Sequence, residues 1–109
     1  VQEGHEVQVA MTDSAQKFIG PATIEGLTGH APIVDLWESG RAMDHIHLTR
    51  WADLAVLCPA SASTLARMAC GLADDVIGAL VLAWPPQKPF HIFPAMNSQM
   101  LRNPATQAN

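Results

Sequence analysis

Polar and apolar positions alternate through "HEVQVAM" (5–11) and the run then turns apolar, which predicts a strand of a sheet covered on both faces. In "TDSAQKFIG" that follows, Thr12, Asp13 or Ser14 can cap a short helix ended by Gly20 and Pro21. "PATIEGLTG" predicts another short helix, opened by Pro21 and closed by Gly29. "APIVDLW" is a strand candidate and "ESGRAMD" a loop. The clearest unit comes next: "WADLAVLCPAS" holds a buried-strand run, Leu54 to Cys58, that stops at Pro59. Apolar residues then recur with a helical period at Leu65, Met68, Ala69 and Leu72, and again at Val76, Ile77, Leu80 and Val81. "WPPQKP" breaks the second run, because proline lacks an amide hydrogen and clashes with a preceding helical turn. "FHIF" predicts a short strand up to Pro94, and "NSQMLRNPATQAN" one or two short helices.

Strands that alternate with helices predict an α/β fold, a parallel sheet with helices on its faces. Two strands end alike, in "VLCPASAST" and "HIFPAMNSQM": apolar run, proline, small and polar residues, helix. "VAMTDSAQKF" makes a third strand-to-helix turn, with hydroxyls at Thr12 and Ser14. Ligands of open α/β sheets lie beyond the carboxyl ends of the strands, where helix N-termini offer unpaired N–H groups to anions. Each turn alone is ordinary helix capping; three in one short chain point to a phosphate-bearing ligand.

Length and composition narrow the picture. The 109 residues, 49% hydrophobic and 15% charged, suit one globular domain. Val1 is not a start methionine and "NPATQAN" stops in a helix-like segment, so residues 1–109 read as an interior piece of a larger α/β domain, truncated at both ends. A net charge of −4 and a pI near 5.6 lack the basic face that nucleic acid requires. No apolar run reaches the roughly 18–20 residues that span a bilayer, so no membrane partner is expected. Cys58 and Cys70 show no metal or disulfide spacing and read as packed thiols in a reducing compartment, which favours the cytoplasm.

Among candidate chemical groups, His45 and His47 share a face if "DHIHLTRW" is extended. A metal needs a third ligand, and His5, His30 and His91 lie in separate segments, so no metal is expected. A structural role for these histidines and an acid–base role for one of them both stay open. Ser61 and Ser63 stand in no G-x-S-x-G elbow, and the chain has neither a P-loop nor a G-x-G-x-x-G fingerprint. Phe18, Trp51, Trp84 and the methionines read as core.

Taken together, "VAMTDSAQKFI", "DHIHLTRWADLAVLCPASASTLARMACGLADD" and "PAMNSQM" resemble the homo-oligomeric flavin-containing cysteine decarboxylases, over almost the whole chain. The ordered series H-I-x-L-x-x-W-A-D, P-A-S-A and P-A-M-N-x-x-M carries the specificity of the match. The resemblance implies a three-layer flavodoxin-like or Rossmann-like domain that binds FMN. It places Thr12, Asp13 and Ser14 in a turn contacting FMN, and Ser61, Ala62, Ser63 and Thr64 in the segment that holds the flavin and its phosphate. It makes Ala95 a flavin neighbour, Asn97 the group that binds the substrate carboxylate, and His45 rather than His47 the catalytic residue.

The activity implied is FMN-dependent decarboxylation of 4'-phosphopantothenoylcysteine to 4'-phosphopantetheine in coenzyme A biosynthesis. The cysteinyl thiol is oxidised, carbon dioxide is lost, and the enethiolate is reduced. The alternatives are a peptidyl-cysteine decarboxylase that stops at the enethiol, and a non-catalytic flavin-binding regulatory protein. The family builds its sites between subunits, so a homo-trimer, or a dodecamer made of trimers, is expected. Three departures stand out. Ser63 replaces the usual asparagine, Leu101 replaces a common aromatic residue, and neither Cys58 nor Cys70 matches the proton-donor cysteine.

Overall fold

A sheet whose strands all run the same way needs long crossovers, and the middle of this chain supplies one. The computed structural model describes residues 1–35, 37 and 43–109. In it β1 (Ala55–Ala60) pairs in parallel with β2 (Phe90–Pro94), with Ala55, Val56 and Leu57 opposite Phe90, His91 and Ile92. The register slips between Leu57 and Ala60. Pro59 sits in that interval and has no N–H to give the ladder. The Cys58–Pro59 peptide is cis. The strand thus runs through Pro59 instead of stopping there.

The crossover consists of α3 (Ala62–Cys70) and α4 (Val76–Ala83), which pack on each other. Ser61 caps α3, its Oγ accepting the Thr64 N–H at 3.2 Å, and Gly71 ends it at φ 69°, so Leu72 falls outside the helix. Asp75 caps α4, its carboxylate accepting the Gly78 N–H at 2.7 Å. Gly78 is required by a close approach. A methyl group there would run into the Leu72 carbonyl oxygen and come within 3.1 Å of Ala73 Cα. Arg67 on α3 is paired with Asp74 in the connecting turn.

The other helices follow the punctuation of the sequence. Pro21 opens α1 (Pro21–Thr28), and Gly29 closes it at φ 80° with its N–H on Glu25 O at 2.8 Å. α2 (Asp44–Trp51) packs against α4. Asn97 and Asn103 cap two short helices, α5 (Ser98–Arg102) and α6 (Pro104–Ala108). Of the three residues that could cap a turn after residue 11, Thr12 does so: its Oγ1 accepts the Ala15 N–H at 3.1 Å, and a 3₁₀ helix covers Ser14–Lys17.

The parallel sheet-and-helix architecture is the expected α/β one, with two corrections at its strands. The runs at 5–11 and 31–37 reduce to one parallel bridge, Ala10 to Ile33. Two backbone bonds hold it, Met11 N–H to Ile33 O and Ile33 N–H to Val9 O, both 2.9 Å. The expected loop at 38–44 lies largely outside the described residues, as does Leu36 of the 31–37 strand run. The run 54–58 is also less buried than its composition suggests, since Val56 is 57% exposed while Ala60 is fully buried. Side chains alternate across a strand, and here one face of β1 carries no covering element among the described residues.

The buried apolar residues are Met11, Ile33, Ala60, Val76 and Ala79, so the core lies where α4 meets the strand ends. Phe18 and Trp51, expected in that core, are exposed, Phe18 at 91%. Trp84 is half-buried and meets Phe90 edge-to-face at 5.8 Å. Cys58 and Cys70 are free and exposed, not packed thiols.

Candidate functional site

Parallel pairing of β1 and β2 forces their carboxyl ends to the same edge of the sheet. The chain uses that edge: the Ala95 N–H, just past β2, donates to Ala60 O, the last carbonyl of β1, at 3.1 Å. That bond brings the Ser61 turn and the Asn97 turn side by side. Ser61 takes up one donor of α3 through its Oγ and gives its own hydroxyl proton to Thr64 Oγ1 at 3.1 Å. Its carbonyl accepts the Leu65 N–H. The first-turn N–H groups of Ala62 and Ser63 are left at the positive end of α3, and the Ser63 side chain is exposed beside them.

Asn97 stands at the start of α5, where its Oδ1 accepts the Met100 N–H at 2.8 Å. Oδ1 is committed to the cap, so the amide NH₂ is the part of the side chain free to donate outward. Ala95 is exposed between the two turns and contributes no bulk beyond a methyl.

His45 is the second residue of α2. The segment is helical rather than extended, so His45 and His47 point about 200° apart and do not share a face. His47 is exposed, whereas His45 is half-buried and its Nδ1 is buried without a hydrogen-bond partner among the described residues. Buried ring nitrogens are usually hydrogen-bonded, so this one stands out. No group of three metal-ligating side chains gathers among the described residues.

The third turn stands apart in its bonding. Among the described residues Thr12 and Asp13 bond locally, to Ala15 and Gln16, and Ser14 is exposed within the 3₁₀ helix. Thr12 and Asp13 line a cavity of about 110 Å³ with Val34, Trp37, Asp74, Asp75 and Val76. Ser61, Ala95, Asn97 and His45 do not line it. Asp74 and Asp75, which the sequence reading passed over, are thus neighbours of the Thr12 turn. Asp74 is held below the ordinary carboxylate range, first by the hydrogen bond from Arg67.

The donor set at α3 fits an anionic group such as a phosphate: two free N–H groups, the Ser63 hydroxyl and a helix of nine residues behind them. The uncovered face of β1, which carries the exposed Val56, offers apolar surface on the same strand. These residues fit a flat, phosphate-bearing cofactor.

The whole chain, residues 1–109, matches the family described as Flavoprotein, and the protein belongs to that family. It is 46% identical over 111 residues to the coenzyme A biosynthesis bifunctional protein CoaBC of Vibrio vulnificus (strain YJ016). The match covers 99% of this chain and 27% of the relative, so the chain spans about a quarter of that relative's length. Among solved structures, the FMN-dependent cysteine decarboxylase SpaF superposes with a TM-score of 0.85 at 43% identity, over 95% of this chain and 59% of SpaF. A PPC decarboxylase mutant complexed with pantothenoylaminoethenethiol gives 0.80 at 34% identity, over 98% of this chain and 61% of that one.

Proposed function

We propose that the chain is the flavin-binding part of an FMN-dependent decarboxylase that converts 4'-phosphopantothenoylcysteine to 4'-phosphopantetheine in coenzyme A biosynthesis. The Ala95-to-Ala60 hydrogen bond carries the reading, because it gathers two polar turns at the carboxyl ends of two parallel strands. FMN supplies two-electron oxidation of the cysteinyl thiol, after which carbon dioxide leaves readily. Ser61, Ala62, Ser63 and Thr64 would hold the flavin and its phosphate through hydroxyls and the α3 N–H groups, with Thr12, Asp13 and Ser14 contributing a second contact. Ala95 leaves room for the ring. The Asn97 amide donates to the substrate carboxylate without neutralising the charge that must depart as carbon dioxide. His45 is the acid–base group, since an imidazole takes and returns protons near neutral pH.

The reaction needs a further proton donor, and Cys58 and Cys70 do not fill that role. The assembly belongs to the same proposal: a cytoplasmic homo-oligomer, a trimer or a dodecamer of trimers, whose neighbouring subunits complete each site. A second reading, peptidyl-cysteine decarboxylation, draws support from the likeness to the peptidyl-cysteine decarboxylase EpiD, with a TM-score of 0.75 at 29% identity.

The test uses the flavin-loaded full-length protein. It should be yellow and release carbon dioxide from 4'-phosphopantothenoylcysteine; release only from a peptide ending in cysteine transfers the assignment to the second reading. His45→Asn should keep its flavin absorbance and lose turnover by about 10²-fold or more, the size of a lost acid–base group. Full turnover in that variant removes His45 from the chemistry.

A further inference from the structure

The segment "WPPQKP" breaks the α4 helix, but its lysine does more than fill a turn. Lys88 Nζ donates to three backbone carbonyls at the end of α2: Thr49 O at 3.0 Å, Arg50 O at 2.9 Å and Ala52 O at 2.7 Å. An ammonium has three protons, and all three are used here. Those carbonyls lie at the negative end of the helix macrodipole, where a cation is stabilising.

The lysine is itself held in place. Its N–H donates to Pro85 O at 3.1 Å and its carbonyl accepts the Trp84 indole N–H at 3.1 Å. Nζ also lies 5.8 Å from the centroid of the Trp84 ring, within cation–π range. Two residues further on, β2 begins and leads straight to Ala95 and Asn97. At the other end of α2, within about 10 Å along an eight-residue helix, stands His45. The lysine therefore joins the helix that carries His45 to the strand that leads to Asn97.

We propose that Lys88 is a positioning residue: by clamping the C-terminal end of α2 to the start of β2, it fixes the placement of His45 relative to the Asn97 turn. The inference rests on the role given to His45 above. Lys88 touches neither substrate nor flavin and acts through α2. Its natural partners are the three carbonyls, which no apolar side chain can satisfy.

The experiment compares Lys88→Met and Lys88→Arg in the flavin-loaded full-length protein, alone and with His45→Asn. Lys88→Met should leave flavin content and KM for 4'-phosphopantothenoylcysteine nearly unchanged and lower kcat on the order of tenfold to a hundredfold, as expected for a small misplacement of a reacting group. It should shift the ¹⁵N resonances of the His45 imidazole and speed amide exchange at Ala52, whose N–H donates to Leu48 O at 2.9 Å. Lys88→Arg, which keeps the charge and the N–H donors, should recover most of the rate. In the His45→Asn background Lys88→Met should cost nothing further. Unmoved His45 resonances in Lys88→Met overturn the proposal, whatever happens to the rate. So does a fall in flavin content and stability with a rise in KM and no change at His45, which is the mark of general damage. If His45→Asn is fully active while Lys88→Met still shifts the His45 signals, the positioning stands and the acid–base role of His45 falls.

Discussion

The role proposed for Asn97 gives one amide two jobs. Its oxygen caps α5 through Met100 N–H, and its nitrogen is free to meet a carboxylate. The two can be separated by substitution. Asp is as good a cap as Asn, so Asn97→Asp should keep α5 and the flavin but repel the substrate carboxylate, raising KM about tenfold or more for roughly one misplaced charge. Asn97→Ala loses the cap as well and should cost about 1 kcal/mol of stability. Steady-state kinetics with thermal melts separates the cases: unchanged KM in Asn97→Asp shows that the residue is only a cap. His45 makes the contrasting point. The residues alone leave an acid–base role open for one of the histidines, and the family resemblance is what assigns it to His45 rather than His47. A histidine two positions from another suggested a shared strand face, and the helix undoes that geometry. The orphaned Nδ1 is a tertiary fact that no local pattern announces.

Punctuation made the elements legible, and burial was what misled. Pro21, Gly29 and the polar turns at 61 and 97 mark helix ends where the structure has them, because capping is a local hydrogen-bond transaction. The strands at 5–11 and 31–37 were overestimated, since a strand exists only through its neighbour and each here has little more than one bridge. The crossover yields two tests. Gly78→Ala must push α4 away from residues 72–73, where there is backbone rather than a yielding side chain, and should destabilise the protein by about 1–3 kcal/mol, read as a lowered Tm. The Arg67–Asp74 pair gives a pH dependence. The Asp74 carboxyl titrates lower in the folded chain than in the unfolded one, so the pair stabilises the fold above the unfolded value, about 3.9, and that gain disappears as pH falls through the lower folded value. Arg67→Met should therefore be less stable than the parent by a small, constant amount above about pH 5, and the two should converge in acid. Both partners are solvent-exposed, so screening by salt should shrink the gap.

At the scale of the whole molecule, the buried apolar set among the described residues is small, and four of its five members are aliphatic residues no larger than isoleucine: Ile33, Ala60, Val76 and Ala79. The Cα radius of gyration is 14.4 Å, against about 13 Å for a compact domain of this length. A ligand that covers exposed apolar surface adds stability to such a fold. The polar turns at the ends of β1 and β2 and the exposed face of β1 lie where a flat, phosphate-bearing ring would cover apolar surface and satisfy free N–H groups at once. Such a ligand binds the folded chain and not the unfolded one, so its stabilisation grows with the logarithm of its concentration. Added FMN at about a hundred times its dissociation constant should contribute roughly 2.7 kcal/mol and raise Tm by several degrees. Riboflavin, which has the ring but no phosphate, should give a smaller shift, because the α3 N-terminus then lacks its anion. Equal shifts from both compounds would place the phosphate away from Ser61–Thr64, and no shift from either would leave the exposed β1 face without its proposed ring.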